Sequence, residues 1–368
     1  MFSDETYLRR CLVLAKTAIG KTAPNPLVGS VIVKQNQVVG EGFHPQAGHP
    51  HAEIFALRQA GDRAQGATLY VNLEPCNHHG RTPPCTEAII QAGIHTVVVG
   101  MVDPNPLVAG KGIDRLRQAG ITVRVGAEKE ACQQLNEAFC FRIKHQRPFG
   151  VLKYAMTLDG KIATEQSHSA WITSPIARGW VHQLRSEGQA VIVGGNTMRR
   201  DNPQLTSHGV SDHNPLRVVL SRSLALPLQA QLWDQREAKT LVITEPNQNP
   251  HIQLQLDALG VEVIVLETVT PIAVMNELYK RDCLQVLWEC GGTLAAPAIA
   301  QGCVQKVHGF IAPKIIGGRH APSPIGPLGL TQMTQALTLN NTQCQAIGPD
   351  WLFTGYLNGD DDSVLNNI

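Results

Sequence analysis

Apolar positions recur along the chain at two periods, and the two periods take turns. From Asp4 to Ile19, Leu8, Cys11, Leu12, Ala15 and Ile19 share one helical face, with Gly20 as the stop. Runs at 28–34 and 37–43, joined at Gln35-Asn36, read as paired strands that follow a rigid Ala23-Pro24-Asn25-Pro26 loop. The pattern then predicts a helix from His51 to about Ala60, a strand over 68–73, a loop, and a short helix ending at Ala92-Gly93. A strand over 96–101, a helix over 112–119, a strand over 121–125 and a helix over 128–144 complete the first half. The segment His145-Gln146-Arg147-Pro148-Phe149 is polar and contains proline, as a linker would, and divides the chain into domains 1–146 and 147–368. Beyond it the alternation restarts, with strands near 151–156, 190–193, 216–220, 240–243, 261–265, 284–288 and 307–312. Helices are expected near 175–186 and 271–281, and the acidic tail after Asn358 is expected to fray. Strands alternating with helices imply an α/β fold whose sheets are covered on both faces. No internal repeat is visible.

Composition narrows the class. A chain of 368 residues with 43% hydrophobic and 17% charged residues has enough apolar material for two cores. No run approaches the ~18 apolar residues of a membrane span, and the acidic start Met-Phe-Ser-Asp-Glu-Thr is unlike a signal peptide. Nine scattered cysteines make a poor disulfide framework and fit a reducing, cytoplasmic location. Residues 1–147 carry 16 Lys and Arg against 12 Asp and Glu, and the remainder 15 against 18. Neither half has the basic stripe of a nucleic-acid binder, so neither nucleic acid nor membrane is expected as a partner.

The chemistry gathers in two short stretches, His51-Ala52-Glu53 and Pro75-Cys76 with Cys85 nine residues on. One imidazole and two thiolates are three of the four ligands of a tetrahedral zinc, which leaves a position open for water, as in catalytic sites. Zinc deaminases carry H-x-E followed by P-C-x-x-C, with the glutamate as proton shuttle and not as ligand. Here the second half reads P-C-x8-C. His44, His49, His78 and His79 are rival ligands, but only His51 has a glutamate two residues later at a helix start. The long intercysteine loop carries Arg81 and Thr82, groups suited to phosphate or sugar, although a solvated loop would also use them. Asn25, between two prolines, also reads as a plain turn residue.

In the second half, Gly291-Gly292-Thr293 follows an apolar strand and opens a helix, where free backbone N–H groups can receive a phosphate. Tight packing would use the same glycines. No G-x-G-x-x-G follows a strand, so a Rossmann domain is not indicated.

The motifs H-A-E, E-P-C-x-H-x-G-R-T-P-P-C, Asp103-Pro104-Asn105-Pro106 and Gly110-Lys111-Gly112 resemble the bifunctional riboflavin biosynthesis deaminase-reductases, the RibD family. The second half matches in the same order, through residues 153–161, Gly194-Gly195-Asn196-Thr197, residues 201–206 and Glu289-Cys290-Gly291-Gly292-Thr293-Leu294. The resemblance implies a cytidine-deaminase-like first domain and a dihydrofolate-reductase-like second, with Zn2+ and NADPH as cofactors. It implies deamination of a 2,5-diamino-pyrimidinone ribotide, with Glu53 as general base and acid, and then reduction of the ribosyl group to ribityl. By resemblance, Asn25, His44, Arg81, Asp103 and Asn105 contact the deaminase substrate. Ala155, Trp171, Thr197, Asp201, Ser223 and the run Gly291, Gly292, Thr293, Leu294, Ala295, Ala296 and Pro297 line the NADPH site. Lys153, Ser169, Arg185, Leu205, His208 and Glu289 hold the reductase substrate, and Lys153 is the candidate to hold a sugar oxygen or donate a proton. A homo-oligomer, dimer or tetramer, is expected.

One position departs from the family, which has an arginine for the substrate phosphate where this chain has His208. Histidine is mostly neutral at pH 7 and lacks the guanidinium fork. Two other readings stand beside the deaminase-reductase. One is a zinc deaminase of another nucleobase or nucleotide with a non-catalytic nucleotide-binding second domain, and the other a regulatory protein on a decayed enzyme scaffold. The long cysteine loop argues against the first, and the intact His51, Glu53, Cys76 and Cys85 argue against the second.

Overall fold

A computed structural model describes residues 3–78, 83–106 and 108–357. The chain divides into two compact units between Gln146 and Arg147.

In the first unit the strands are β1 (Gly29–Lys34), β2 (Gln37–Phe43), β3 (Thr68–Leu73), β4 (Thr96–Met101) and β5 (Thr122–Val125), in the order β2-β1-β3-β4-β5. β1 runs antiparallel to β2 and β3, and β3, β4 and β5 run parallel. The period-2 pattern of these strands sorts their side chains onto two faces. Ile32, Leu69, Val71, Val97 and Val99 pack with Ala56 and Ala60 of α2 (Ala52–Ala60), Ile89 of α3 (Cys85–Gln91) and Leu116 of α4 (Lys111–Gln118). Val31, Val33, Tyr70 and Val98 pack on the other face with Tyr7, Leu8 and Cys11 of α1 (Asp4–Lys16).

The expected helix over 128–144 is two helices, α5 (Lys129–Leu135) and α6 (Glu137–His145), broken at Asn136. The Asn136 side chain accepts from Leu27 N at 2.8 Å and donates to Leu27 O at 3.0 Å, and its backbone sits at φ −105°, ψ 21°. A tertiary hydrogen-bonded grip on the Asn25 loop thus overrides the helical periodicity.

The second unit holds a nine-stranded sheet among its described residues: β6 (Phe149–Thr157), β7 (Ala190–Gly194), β8 (Leu216–Leu220), β9 (Thr240–Thr244), β10 (Glu262–Val265), β11 (Gln285–Trp288), β12 (Lys306–Ala312), β13 (Leu339–Ile347) and β14 (Asp350–Leu357). Their order is β10-β9-β8-β7-β11-β6-β12-β14-β13, parallel from β10 to β12, with β14 antiparallel to both β12 and β13. Helices α7 (Pro175–Glu187), α8 (Gly195–Asp201), α9 (Pro250–Ala258), α10 (Pro271–Lys280) and α11 (Gly292–Ala300) lie between the parallel strands. The hydrophobic pattern did not predict α8, α9 or the β13–β14 hairpin. The expected fraying tail after Asn358 lies outside the described residues.

The approach of α2 to β2 positions the first site. A Cβ on Gly40 would lie 2.2 Å from Ala56 O, and one on Gly42 would lie 2.5 Å from Ala52 O and from Phe55 Cβ. Only glycines at these positions let the α2 backbone rest on the strand, which sets where His51 and Glu53 enter. Gly42→Ala should therefore force α2 outward and cost about 1–3 kcal/mol of stability in the first unit, as overpacking does. Urea unfolding followed by amide exchange within residues 29–101 would register it. An unchanged midpoint would mean that the contact has slack.

Candidate active sites in the two units

The first site assembles at one end of the β3–β4 sheet region. His51 is the N-cap of α2, Cys76 follows β3 after Glu74-Pro75, and Cys85 is the first residue of α3. The three ligand atoms lie within 4.8 Å of one another. His51 Nδ1 is 3.3 Å from Cys85 Sγ and 3.5 Å from Cys76 Sγ. A tetrahedral zinc with ligand bonds of about 2.05 Å to nitrogen and about 2.3 Å to sulfur has a nitrogen–sulfur edge of about 3.5 Å. The donor set fits that ion in kind and in spacing.

Glu53, in the first turn of α2, is buried, and its Oε2 has no hydrogen-bond partner in the protein. An orphaned carboxylate oxygen at that depth is costly unless it faces a ligand. Burial pushes the Glu53 carboxyl up from its ordinary range, against the charge of His51. The hydrogen bond from Cys85 to Cys76 lowers the Cys76 thiol, against burial and with further help from His51, in the direction a metal-ligating cysteine requires. The Cys85 backbone N–H, at the α3 N-terminus, also donates to Cys76 Sγ at 3.3 Å.

Around this centre the residues expected at the substrate are held by hydrogen bonds within the protein. His44 Nδ1 lies 3.1 Å from Pro50 O, which can only accept, so Nδ1 carries the proton and Nε2 accepts from Asn25 Nδ2 at 3.0 Å. Burial lowers the His44 pKa, consistent with a neutral ring. Both ring nitrogens are thereby engaged within the protein, and His44 orients Asn25. Asp103 Oδ1 accepts from Asn105 N at 2.8 Å, and burial, with Glu74 adding to it, raises the Asp103 carboxyl to about 6 against that hydrogen bond. Arg81 lies outside the described residues.

Sequence reasoning assigned no role to Glu74. Its Oε2 accepts from Asp103 N at 3.2 Å and Gly110 N at 3.0 Å, and its Oε1 from Gly112 N at 2.8 Å and Ile113 N at 3.2 Å. One buried carboxylate thus caps α4 and carries the Asp103–Asn105 loop, two residues from the thiolate of Cys76. A Cβ on Gly112 would stand 2.1 Å from Pro75 O, so the Gly-Lys-Gly signature permits this approach.

In the second unit the strand order reverses around β7, β11 and β6, and open α/β sheets bind ligands beyond the strand ends at such a point. A cavity of about 1100 Å3 lies there. Of the residues expected at the cofactor, Ala155, Thr197, Asp201, Ser223, Gly291, Gly292, Thr293, Leu294 and Pro297 line it. Ala295 and Ala296 are buried one turn into α11, and Trp171 is 69% exposed with the Arg178 guanidinium 4.4 Å from its ring centroid. Lys153, Ser169 and Glu289 also line the cavity. Arg185 grips Glu289 with two bonds of 2.6 and 3.0 Å, and Lys153 Nζ lies 3.8 Å from the same carboxylate. Burial would raise Glu289, but Arg185 and then Lys153 outweigh it and hold the carboxyl at about 2. Burial lowers the Lys153 pKa against the pull of Glu289. Leu205 is buried, and His208 is exposed at the end of the same loop.

Residues 148–353 match the model of the RibD C-terminal domain, and residues 1–101 match that of the cytidine and deoxycytidylate deaminase zinc-binding region. The chain is 75% identical, over the whole of both chains, to the riboflavin biosynthesis protein RibD of Synechocystis. The chain belongs to the RibD family. Among solved structures, form 1 of Acinetobacter baumannii RibD superposes with a TM-score of 0.87 at 37% identity, covering 97% of this chain and 99% of that one. A Thermotoga maritima structure titled a diaminohydroxyphosphoribosylaminopyrimidine deaminase/5-amino-6-(5-phosphoribosylamino)uracil reductase gives 0.85 at 37% identity, covering 96% and 99%. As a RibD-family chain it is a bifunctional riboflavin biosynthesis enzyme with a zinc-binding deaminase domain and a reductase domain. Among the described residues no helix is long and apolar enough to cross a membrane.

The three-ligand geometry makes a direct claim about metal content. Cys85→Ser should reduce zinc from about one per chain to a small fraction, by elemental analysis after dialysis, while the second unit keeps its fold. Stoichiometric zinc in that variant would show that the ligand set is wrong.

Proposed function

We propose that the first unit, 1–146, deaminates 2,5-diamino-6-ribosylamino-4(3H)-pyrimidinone 5′-phosphate. The second unit, 147–368, then reduces the ribosyl side chain of the product to ribityl with NADPH, giving 5-amino-6-ribitylaminouracil 5′-phosphate. The observation that carries this reading is the cluster of His51, Cys76 and Cys85 with the buried, orphaned Glu53 oxygen facing it.

His51, Cys76 and Cys85 would hold the zinc, whose chemistry is to acidify water to a pKa of about 7. Glu53 removes a proton from the attacking water and delivers it to the ring nitrogen, then takes the second proton from the new C–OH group as the carbonyl forms and passes it to the departing ammonia. Burial raises its carboxyl from the ordinary range. Asn25, held by His44, and the Asp103–Asn105 loop, held by Glu74, orient the pyrimidine. Arg81 is assigned to the same substrate by motif alone.

In the second unit, NADPH supplies the hydride. Gly291 through Pro297, with Ala155, Trp171, Thr197, Asp201 and Ser223, are assigned to hold it, in keeping with the free N–H groups at the start of α11. Lys153 is assigned to bind the sugar oxygen that gains a proton, and Ser169, Arg185, Leu205 and Glu289 to fix the substrate around it; the contacts of Glu289 with Lys153 and Arg185 support this reading. The reaction is proposed to run in the cytoplasm, in a homo-oligomer, on a small phosphorylated substrate and with no nucleic acid.

Crossed variants test the assignment. Glu53→Gln should retain zinc, lose ammonia release by ~10²-fold or more, and still reduce the deaminated intermediate when it is supplied. Lys153→Ala should release ammonia normally and accumulate that intermediate, with NADPH oxidation abolished. Loss of zinc in Glu53→Gln would place Glu53 among the ligands. Loss of both steps in either variant would contradict two separate chemistries.

A further inference from the structure

The intercysteine loop leaves the end of β3 at Cys76-Asn77 and returns at Pro84, where Cys85 and Thr86 open α3. Among the described residues three hydrogen bonds close its neck. Thr86 N donates to Cys76 O at 3.2 Å, Cys85 N donates to Cys76 Sγ at 3.3 Å, and Thr86 Oγ1 donates to Asn77 Oδ1 at 2.9 Å. The first two use N–H groups at the start of α3, which have no partner inside the helix. The third is made by two side chains outside the ligand set, so it can be removed without touching a ligand.

The direction of that third bond is fixed. Lys111 O, at the start of α4, can only accept, and it lies 3.4 Å from Asn77 Nδ2. The amide therefore turns its oxygen to Thr86, whose hydroxyl is the donor. Thr86 is 0% exposed, so its hydroxyl has no water to fall back on. Asn77 follows one sulfur ligand and Thr86 follows the other, and the bond joins the two arms one residue beyond each. Asn77 also ties this point to α4, which Glu74 holds through Gly112 N and Ile113 N. Lateral contact between α3 and α4 is made separately, by the Arg115 guanidinium on Glu87 at 2.7 and 3.2 Å. Holding α3 against α4 and holding Cys85 against Cys76 thus fall to different residues.

We propose that Asn77 and Thr86 are positioning residues for the zinc, and that their hydrogen bond is a clasp that sets the spacing of the Cys76 and Cys85 sulfurs. This rests on the reading of His51, Cys76 and Cys85 as the ligands. The pair acts through the cysteines and not on the metal. Two ligands joined only through an eight-residue loop would sample many spacings, and metal binding would lose the entropy of bringing them together. With the neck closed, that entropy is lost on folding and not on binding. Removing a group that orients a metal ligand from behind costs about 10- to 100-fold in metal affinity. The clasp should therefore show in zinc affinity first, and in deamination only as far as zinc is lost.

The test is the zinc affinity of the full-length protein, measured by competition against a chromophoric chelator at neutral pH. Thr86→Val keeps the shape and removes the donor. It should weaken zinc binding about tenfold or more and speed zinc release to the chelator. Thr86→Ser, which keeps the hydroxyl, should bind zinc as the unsubstituted protein does. Asn77→Ala, at a half-buried position, should reproduce the loss and serves if Thr86→Val does not fold. Glu87→Gln weakens the ion pair between α3 and α4 but leaves the neck intact, so zinc affinity should stay. Unchanged affinity in Thr86→Val or in Asn77→Ala would overturn the proposal. So would an equal loss in Glu87→Gln, since the effect would then belong to helix docking, or in Thr86→Ser, since it would then belong to packing. Stoichiometric zinc in Cys85→Ser would sink the ligand reading and the clasp with it. Zinc lost there, with unchanged affinity in the clasp variants, would sink the clasp alone.

Discussion

The first unit depends on one buried carboxylate. Glu74 receives four backbone N–H groups from a segment 29 to 39 residues further along the chain, and through them it terminates a helix and suspends a loop. A charge so deep is tolerable only because each oxygen is satisfied, and charge-assisted bonds of this kind are worth about 1.5–3 kcal/mol each where they replace nothing else. Its position in the chain matters as much as its bonds. It precedes Pro75 and Cys76, so the strand that delivers the thiolate also fixes the Asp103–Asn105 loop. The candidate metal ligand Cys76 and the Asp103–Asn105 loop share one anchor.

The second unit uses an ion cluster for the same purpose. Glu289 takes the two-pronged guanidinium of Arg185 and lies near Lys153, which brings α7, β6 and the end of β11 to one point. Buried ion pairs contribute little net stability once desolvation is counted, but removing one partner strands the other. The cluster is better understood as a device that holds Lys153 at a set place. In both units a buried carboxylate gathers several elements at one point.

Much of this was legible in the chain. The strands 68–73 and 96–101 were readable because their alternate residues feed two different cores, Leu69 and Val97 on one face and Tyr70 and Val98 on the other. The metal triad and Glu53 were readable because H-x-E and P-C…C tie residue type to spacing. The break at Asn136 was not, because helical periodicity runs straight through it and the cause is a side chain reaching Leu27. Nor was the β13–β14 hairpin, since most of β13 from Leu339 to Ile347 is exposed and polar and shows no alternation to detect. Glu74 stood inside a quoted motif, yet its partners are backbone N–H groups, which leave no mark in residue identity. His208 was visible as a departure from the family. The stacking of its ring on His182 of α7 was not, because that stack exists only through the conformation of residues 205–208.

Three protein ligands and not four would make the zinc site of the first unit a catalytic one. Zinc K-edge X-ray absorption on the purified full-length protein tests this most directly. The expected result is one zinc per chain with two sulfur neighbours at about 2.3 Å and two nitrogen or oxygen neighbours at about 2.0–2.1 Å. Glu53→Gln should leave that shell unchanged. A shell with three or more sulfurs, or one that changes when Glu53 is substituted, would contradict it.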